Sequence, residues 1–248
     1  MNATQENLWL EYWEERNDEV YNYDAEATIL ASQFKKAGAK SVLSLGCGTG
    51  PCLRRLAPRG FKGTGVDRDQ SLLDIGENLA RKQGHLIRFV RTDIRRLPNL
   101  VIFDAAFAMH LSFPESDWLK ILRSLNPLLK PGGIFVAGFV YADSKPGISM
   151  KGVSADLFTL PSGKTLVELD RYFVENTYYQ CSMILIEETA SGVRFDRRII
   201  NIYFFSQKAA IIDLLASQGY TNPTELREDD IGFPGLKAVL LKTILLEA

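Results

Sequence analysis

Val42-Leu43-Ser44-Leu45-Gly46-Cys47-Gly48-Thr49-Gly50 decides the fold, because an apolar run ends in glycines at three alternate positions. A short aliphatic run bounded by glycine predicts a buried strand, Ser41 to Leu45. Glycine takes positive φ without steric cost and, lacking Cβ, lets a ligand touch the main chain. A helix is expected to open just after Gly50. The dinucleotide pattern G-x-G-x-x-G needs its third glycine where Pro51 stands, so the spacing here is G-x-G-x-G. Hydride-transfer chemistry loses support.

Upstream of the turn, residues 8–34 read as helix in two segments broken near Asn22 to Asp24, with Gly38 as the stop. Downstream, strands are expected at 61–66, 85–90, 101–108 and 133–141, the last entered by the turn Lys130-Pro131-Gly132-Gly133, with helices after Gly50 and at 70–83 and 115–125. This alternation predicts an α/β fold with a doubly wound, mainly parallel sheet whose ligand lies at the carboxyl ends of the strands. A helix at 207–218 and strands near 221–226 and 236–246 complete a seven-stranded sheet. Between them, Thr165 to Phe173, Tyr178 to Thr189 and Val193 to Phe205 read as an antiparallel hairpin system, and Asp143 to Ser154 as a loop. The expected organisation is a helical lid at 1–38, a ligand-binding core at 39–141, a β insertion at 142–205 capping the crevice, and a return to the core at 206–248. The insertion is too short to be stable alone.

The chain has 248 residues, a formal net charge of -1 and a pI near 6.2, with none of the basic excess that nucleic-acid backbones demand. Its first residues lack a basic region followed by an apolar run, and nowhere do apolar residues run long enough to span a bilayer. Cys47, Cys52 and Cys181 are few, odd in number and without C-x-x-C spacing, which argues against a disulfide framework and a zinc site. A reducing cytoplasm is expected, with neither a nucleic-acid nor a membrane partner.

The glycine motif and the strand ends after it resemble the class I S-adenosylmethionine-dependent methyltransferases, whose first motif is an apolar strand ending in G-x-G-x-G. The insertion after the fifth strand is similar to that of small-molecule N-methyltransferases, including amino-sugar and glycine-type enzymes. The resemblance implies a Rossmann-like fold and S-adenosyl-L-methionine as cofactor, held by Gly46, Cys47, Gly48, Thr49 and Gly50. It implies that Asp67, ending the strand in Gly63-Thr64-Gly65-Val66-Asp67 with Arg68 beside it, is the ribose-binding acid, since a carboxylate accepts from both hydroxyls. Thr92, Asp93 and Ile94 would meet the adenine, Asp93 accepting from its amine; the alternative reading of Asp93 is the N-cap of a short turn through Arg95 and Arg96, and one residue can serve both. Asp104 is expected to be structural.

Ala108-Met109-His110-Leu111 stands where an N/D-P-P-Y/F sequence would mark methylation of a planar nitrogen, so that subclass is excluded. Met109 is expected beside the cofactor. His110 would face the methyl acceptor, as a general base, as a hydrogen-bonding group or as a structural residue. Ser44 replaces an acid that many family members use to hold the methionine ammonium. Tyr12, Arg16 and Tyr21 are candidates for a lid over the cofactor, or for simple packing on the core. Tyr141, Arg171, Tyr179, Arg197 and Tyr203 are candidates for the acceptor pocket, with Arg197 and Tyr203 on one strand face and Arg198 on the other. Methyl transfer to a nitrogen or oxygen of a small molecule is the leading expectation, by a monomer or homodimer. A non-catalytic cofactor sensor or accessory protein, and a nicotinamide-dependent oxidoreductase, are the alternatives.

Overall fold

The computed structural model describes residues 8–142, 151–161, 163–175, 178–190, 192–230 and 236–246. The described residues open with α1 (Leu8–Glu11), α2 (Trp13–Val20) and α3 (Tyr23–Lys36); the break before α3 falls where the sequence predicts one, and a second, at Tyr12, was not expected. Then β1 (Ser41–Leu45), α4 (Pro51–Leu56), β2 (Lys62–Asp67), α5 (Gln70–Lys82), β3 (Arg88–Arg91), β4 (Phe103–Ala108), α6 (Glu115–Leu125) and β5 (Leu129–Ala142) alternate. The insertion is β6 (Lys151–Thr159), β7 (Thr165–Glu175), β8 (Tyr178–Thr189) and β9 (Gly192–Tyr203). The chain returns through α7 (Lys208–Ser217), β10 (Tyr220–Asp230) and β11 (Leu236–Leu245).

Among the described residues, seven strands form one sheet in the order β10-β11-β5-β4-β1-β2-β3. The pairs from β5 through β3 are parallel, while β11 runs antiparallel to β5 and to β10. The order reverses between β1 and β4, which places the ends of β1, β2, β3 and β4 side by side at one edge. The central strands β1, β4 and β5 are apolar and largely buried, and α6 seals one face with Trp118, Ile121, Leu122 and Leu125. At the opposite edge, Asp104 ties three strands together. Its Oδ2 accepts from the N–H groups of Lys40 (2.9 Å) and Ser41 (2.8 Å) and from the Ser41 hydroxyl (2.8 Å), while Lys130 pairs with Oδ1. Burial raises the Asp104 pKa, but the hydrogen bonds from Lys130, Ser41 and Lys40 outweigh it and hold the carboxyl well below its usual range.

The chain divides into two units, one containing residues 8–22 and 151–203, the other residues 23–142 and 204–246. The N-terminal boundary therefore falls at Asn22 and not at Gly38. Helix α3 belongs to the larger unit, because Phe34 packs against Phe61 (5.7 Å between centroids) and Phe107 (6.0 Å). In the smaller unit, β6 to β9 form a four-stranded antiparallel sheet among the described residues. Strand β6 was not expected, and its residues 151–154 fell in the loop expected at Asp143 to Ser154. Gly152 and Ser154 obscure it, although Val153, Ala155 and Leu157 alternate as a strand should. Residues 143–150 of that expected loop lie outside the described residues. Leu8, Trp9 and Tyr12 of the first helical stretch bury themselves against Leu160, Leu166 and Leu185, giving this sheet the apolar cover that an isolated antiparallel sheet lacks.

Candidate functional site

At the end of β1 the chain turns left-handed at Gly46 (φ 58°), Gly48 (φ 53°) and Gly50 (φ 73°). At two of these glycines a side chain would also press on a neighbouring one. A Cβ on Gly46 would lie 2.5 Å from Leu111, and one on Gly50 would lie 2.9 Å from Phe89. Gly50 is the N-cap of α4 and Pro51 is its first residue, where a missing N–H costs nothing and the fixed φ suits a helix. Pro51, which argues against the dinucleotide pattern, is thus also what starts the helix.

Asp67 braces this turn from the end of β2. Its Oδ2 accepts from the Gly48 N–H at 2.9 Å and its Oδ1 from the Asp69 N–H at 3.0 Å, while its carbonyl accepts from the Thr92 N–H at 2.8 Å. An ionised carboxylate has about four acceptor positions, so each oxygen retains capacity for a hydroxyl. Asp69 caps α5 through Ser71 and Leu72. Arg68 is exposed, and its carbonyl accepts from Arg91.

At the end of β3, Asp93 caps the short 3-10 turn Ile94–Arg96, accepting from the Arg95 N–H at 2.9 Å. The Arg95 side chain also grips Asp93 (2.7 Å) and Asp117 (2.9 Å). That hydrogen bonding from Arg95 brings the Asp93 carboxyl down to about 2, against a raising contribution from burial. The N-cap reading of Asp93 is therefore realised. Ile94 is buried in the core, and Thr49, within the glycine turn, is fully buried.

Beyond β4, Met109 is half-buried and His110 adopts a left-handed backbone (φ 53°) that non-glycine residues avoid at a cost of roughly 1–3 kcal/mol. Its Nε2 lies 2.8 Å from Oε1 of Glu26, a carboxylate on α3 only 2% exposed. The Glu26 Oε2 accepts from the Cys52 thiol at 3.6 Å. The Tyr23 ring meets the imidazole edge-on at 6.1 Å. Sequence reasoning missed Glu26; an acid set between Ala25 and Ala27, one turn after Tyr23, was the available signal.

The N-terminal candidates are committed elsewhere. Arg16 holds Glu168 with two hydrogen bonds of 2.6 Å, and Tyr12 donates to Glu187 at 2.8 Å. Those partners belong to the insertion sheet, so Arg16, a candidate for the lid over the cofactor, forms instead a buried ion pair within the smaller unit. Tyr21 is half-buried at the end of α2.

The acceptor candidates do not share one face. Arg197 and Tyr203 lie on the same side of β9, Arg197 donating to Ser182 at 2.9 Å and Tyr203 meeting Tyr178 at 5.5 Å. Arg198 lies on the other side, over Trp9 and Trp13, as its register requires. Tyr179 opposes Ile202, on that second side, and is buried. Tyr141 belongs to the larger unit and donates to Glu228 beside Lys208. Arg171 sits in β7 opposite Ser182, and its side chain lies outside the described residues.

Residues 42–133 match a family model described as a methyltransferase domain. The structure is similar to an S-adenosylmethionine-dependent methyltransferase from Clostridium acetobutylicum ATCC 824, at 17% identity and a TM-score of 0.76 over 97% of this chain and 99% of that one. It is similar also to the sugar N-methyltransferase KedS8 from Streptoalloteichus sp ATCC 53650, at 21% identity and a TM-score of 0.74 over 100% of this chain and 96% of the other. In sequence, 95 residues are 36% identical to a ubiquinone biosynthesis O-methyltransferase of Coxiella burnetii, covering 38% of this chain and 41% of that protein. The chain spans about half the length, or less, of the curated relatives it matches. The fold is that of the class I methyltransferases, and the glycine turn, Asp67 and Asp93 lie inside the matched domain.

Proposed function

We propose that this chain transfers the methyl group of S-adenosyl-L-methionine to a nitrogen or oxygen of a small molecule. The observation that carries the reading is the brace between Asp67 and Gly48, which puts an acceptor-only carboxylate beside a glycine turn at adjacent strand ends. That donor and acceptor set fits the cofactor. Asp67 would take the ribose hydroxyls, with Arg68 at its rim, while Thr92, Asp93 and Ile94 would flank the adenine. The main chain of Gly46, Cys47, Gly48, Thr49 and Gly50, with Met109, would enclose the remainder. When bound, the cofactor supplies a sulfonium methyl, an electrophile that needs no covalent help from the protein.

What the protein contributes is position and dryness. Holding nucleophile and methyl in line contributes up to roughly 7–11 kcal/mol in the best intramolecular cases. His110, at the end of β4, stands ready to accept the proton that the acceptor loses. Arg197 and Tyr203, which share one face of β9, remain the residues proposed for the acceptor. The full-length likeness to a sugar N-methyltransferase supports a small polar acceptor.

The test is transfer of labelled methyl from the cofactor to a panel of amino sugars, small amines and phenols, backed by a metabolite extract. Label in at least one acceptor is the expected result. Tight binding of S-adenosylhomocysteine with no acceptor labelled would replace this reading by that of a cofactor sensor.

A further inference from the structure

His110 looks isolated in the sequence, yet the fold gives it a partner from far upstream. Glu26 lies one helical turn after Tyr23 on α3, so the two share a face. From that face Tyr23 presents its ring edge-on to the imidazole, and the Glu26 Oε1 meets Nε2 at 2.8 Å. The other carboxylate oxygen takes the Cys52 thiol, two residues past Gly50. Burial, and then the neighbouring Glu26 charge, push that thiol well up, so it stays protonated and keeps donating. Arg54 and Arg55 of α4 are the cations acting on the same thiol. A carboxylate 2% exposed costs several kcal/mol to bury unless charge or hydrogen bonds compensate it. Here the compensation comes from the Cys52 thiol and from a histidine whose own backbone is held in a disfavoured conformation.

We propose that Glu26 is the positioning residue of His110: it binds the Nε2–H and so fixes the imidazole tautomer in which Nδ1 carries the lone pair that receives the acceptor's proton. This rests on the methyl-transfer reading. The tautomer follows from the chemistry of the pair, because an ionised carboxylate only accepts, and the nitrogen facing it must carry the hydrogen. In the reaction the acceptor's nitrogen or oxygen forms a bond to the methyl carbon. The carbon–sulfur bond breaks with its electrons left on sulfur, and the acceptor's proton passes to Nδ1. The imidazolium that results is stabilised by Glu26, which does not itself need to take the proton.

The chain has two histidines, His85 and His110, so nitrogen NMR of histidine-labelled protein resolves the pair with little ambiguity. Expected is a single Nε2–H tautomer for His110 in the unaltered protein, lost in Glu26→Gln. That variant should lose about 10²-fold or more in kcat, with the affinity for S-adenosylhomocysteine unchanged, and Glu26→Asp should recover part of the loss. A His110 tautomer that is mixed in the unaltered protein, or one indifferent to Glu26→Gln, would overturn the proposal; so would an unchanged kcat per folded molecule. If Glu26→Gln does not fold, the unaltered protein's tautomer and the Glu26→Asp variant decide. A chain that labels no acceptor refutes methyl transfer, and the tautomer measurement then decides on its own whether Glu26 positions the ring.

Discussion

Asp67 meets two demands at once, bracing Gly48 and keeping acceptor capacity at the end of β2. Replacing it by Asn removes the charge and one acceptor. A charge-assisted hydrogen bond contributes about 1.5–3 kcal/mol, so Asp67→Asn is expected to weaken S-adenosylhomocysteine binding about tenfold to a hundredfold by calorimetry. Asp104 gives a prediction of a different kind. Its folded-state pKa lies below the unfolded value of about 3.9, so the stability it contributes is present above that pH and is lost as pH falls through the folded value. Asp104→Asn should be less stable than the parent by about 1–3 kcal/mol at neutral pH in urea, and the gap should close on acidification. Both aspartates were legible in the sequence, because each stands at the end or start of a recognisable strand. Glu26 was not, because its partners His110 and Cys52 are brought to it only when α3 packs on the core.

The elements followed their patterns closely where those patterns were periodic, as in β1, α5 and α6. They were misread where composition masked alternation, as in β6. One contact between elements was invisible in the sequence. A Cβ on Gly76 of α5 would lie 2.4 Å from the carbonyl oxygen of Thr49, so this glycine lets the helix rest on the glycine turn. Gly76→Ala must push main chain against main chain, and overpacking of that kind costs about 1–3 kcal/mol. A melting temperature several degrees lower is expected, with weaker cofactor binding. Gly138 of β5 has nothing within 4 Å of its Cβ position, and Gly138→Ala should melt with the parent. Equal melting of the two variants would show that α5 does not depend on this contact.

For the molecule as a whole, the α/β rhythm foretold the large sheet and the hairpin run foretold the insertion. That α1 and α2 pack on the insertion sheet was hidden, since the pairing of Arg16 with Glu168 joins distant stretches of chain. Arg16→Ala would leave Glu168, 3% exposed, without its counter-charge. Breaking such a buried pair costs about 3–5 kcal/mol, and hydrogen exchange should show protection lost in β7 and β8 and retained in β1, β2 and β4. The fold is that of the class I methyltransferases, and the proposed function depends on the binding of S-adenosyl-L-methionine. Calorimetric titration of the full chain with S-adenosylhomocysteine, and separately with NADH, tests it most directly. Saturable binding of one equivalent of S-adenosylhomocysteine, weakened in Asp67→Asn, with no heat from NADH, is the predicted result; no binding of S-adenosylhomocysteine, or saturable binding of NADH in its place, would contradict it.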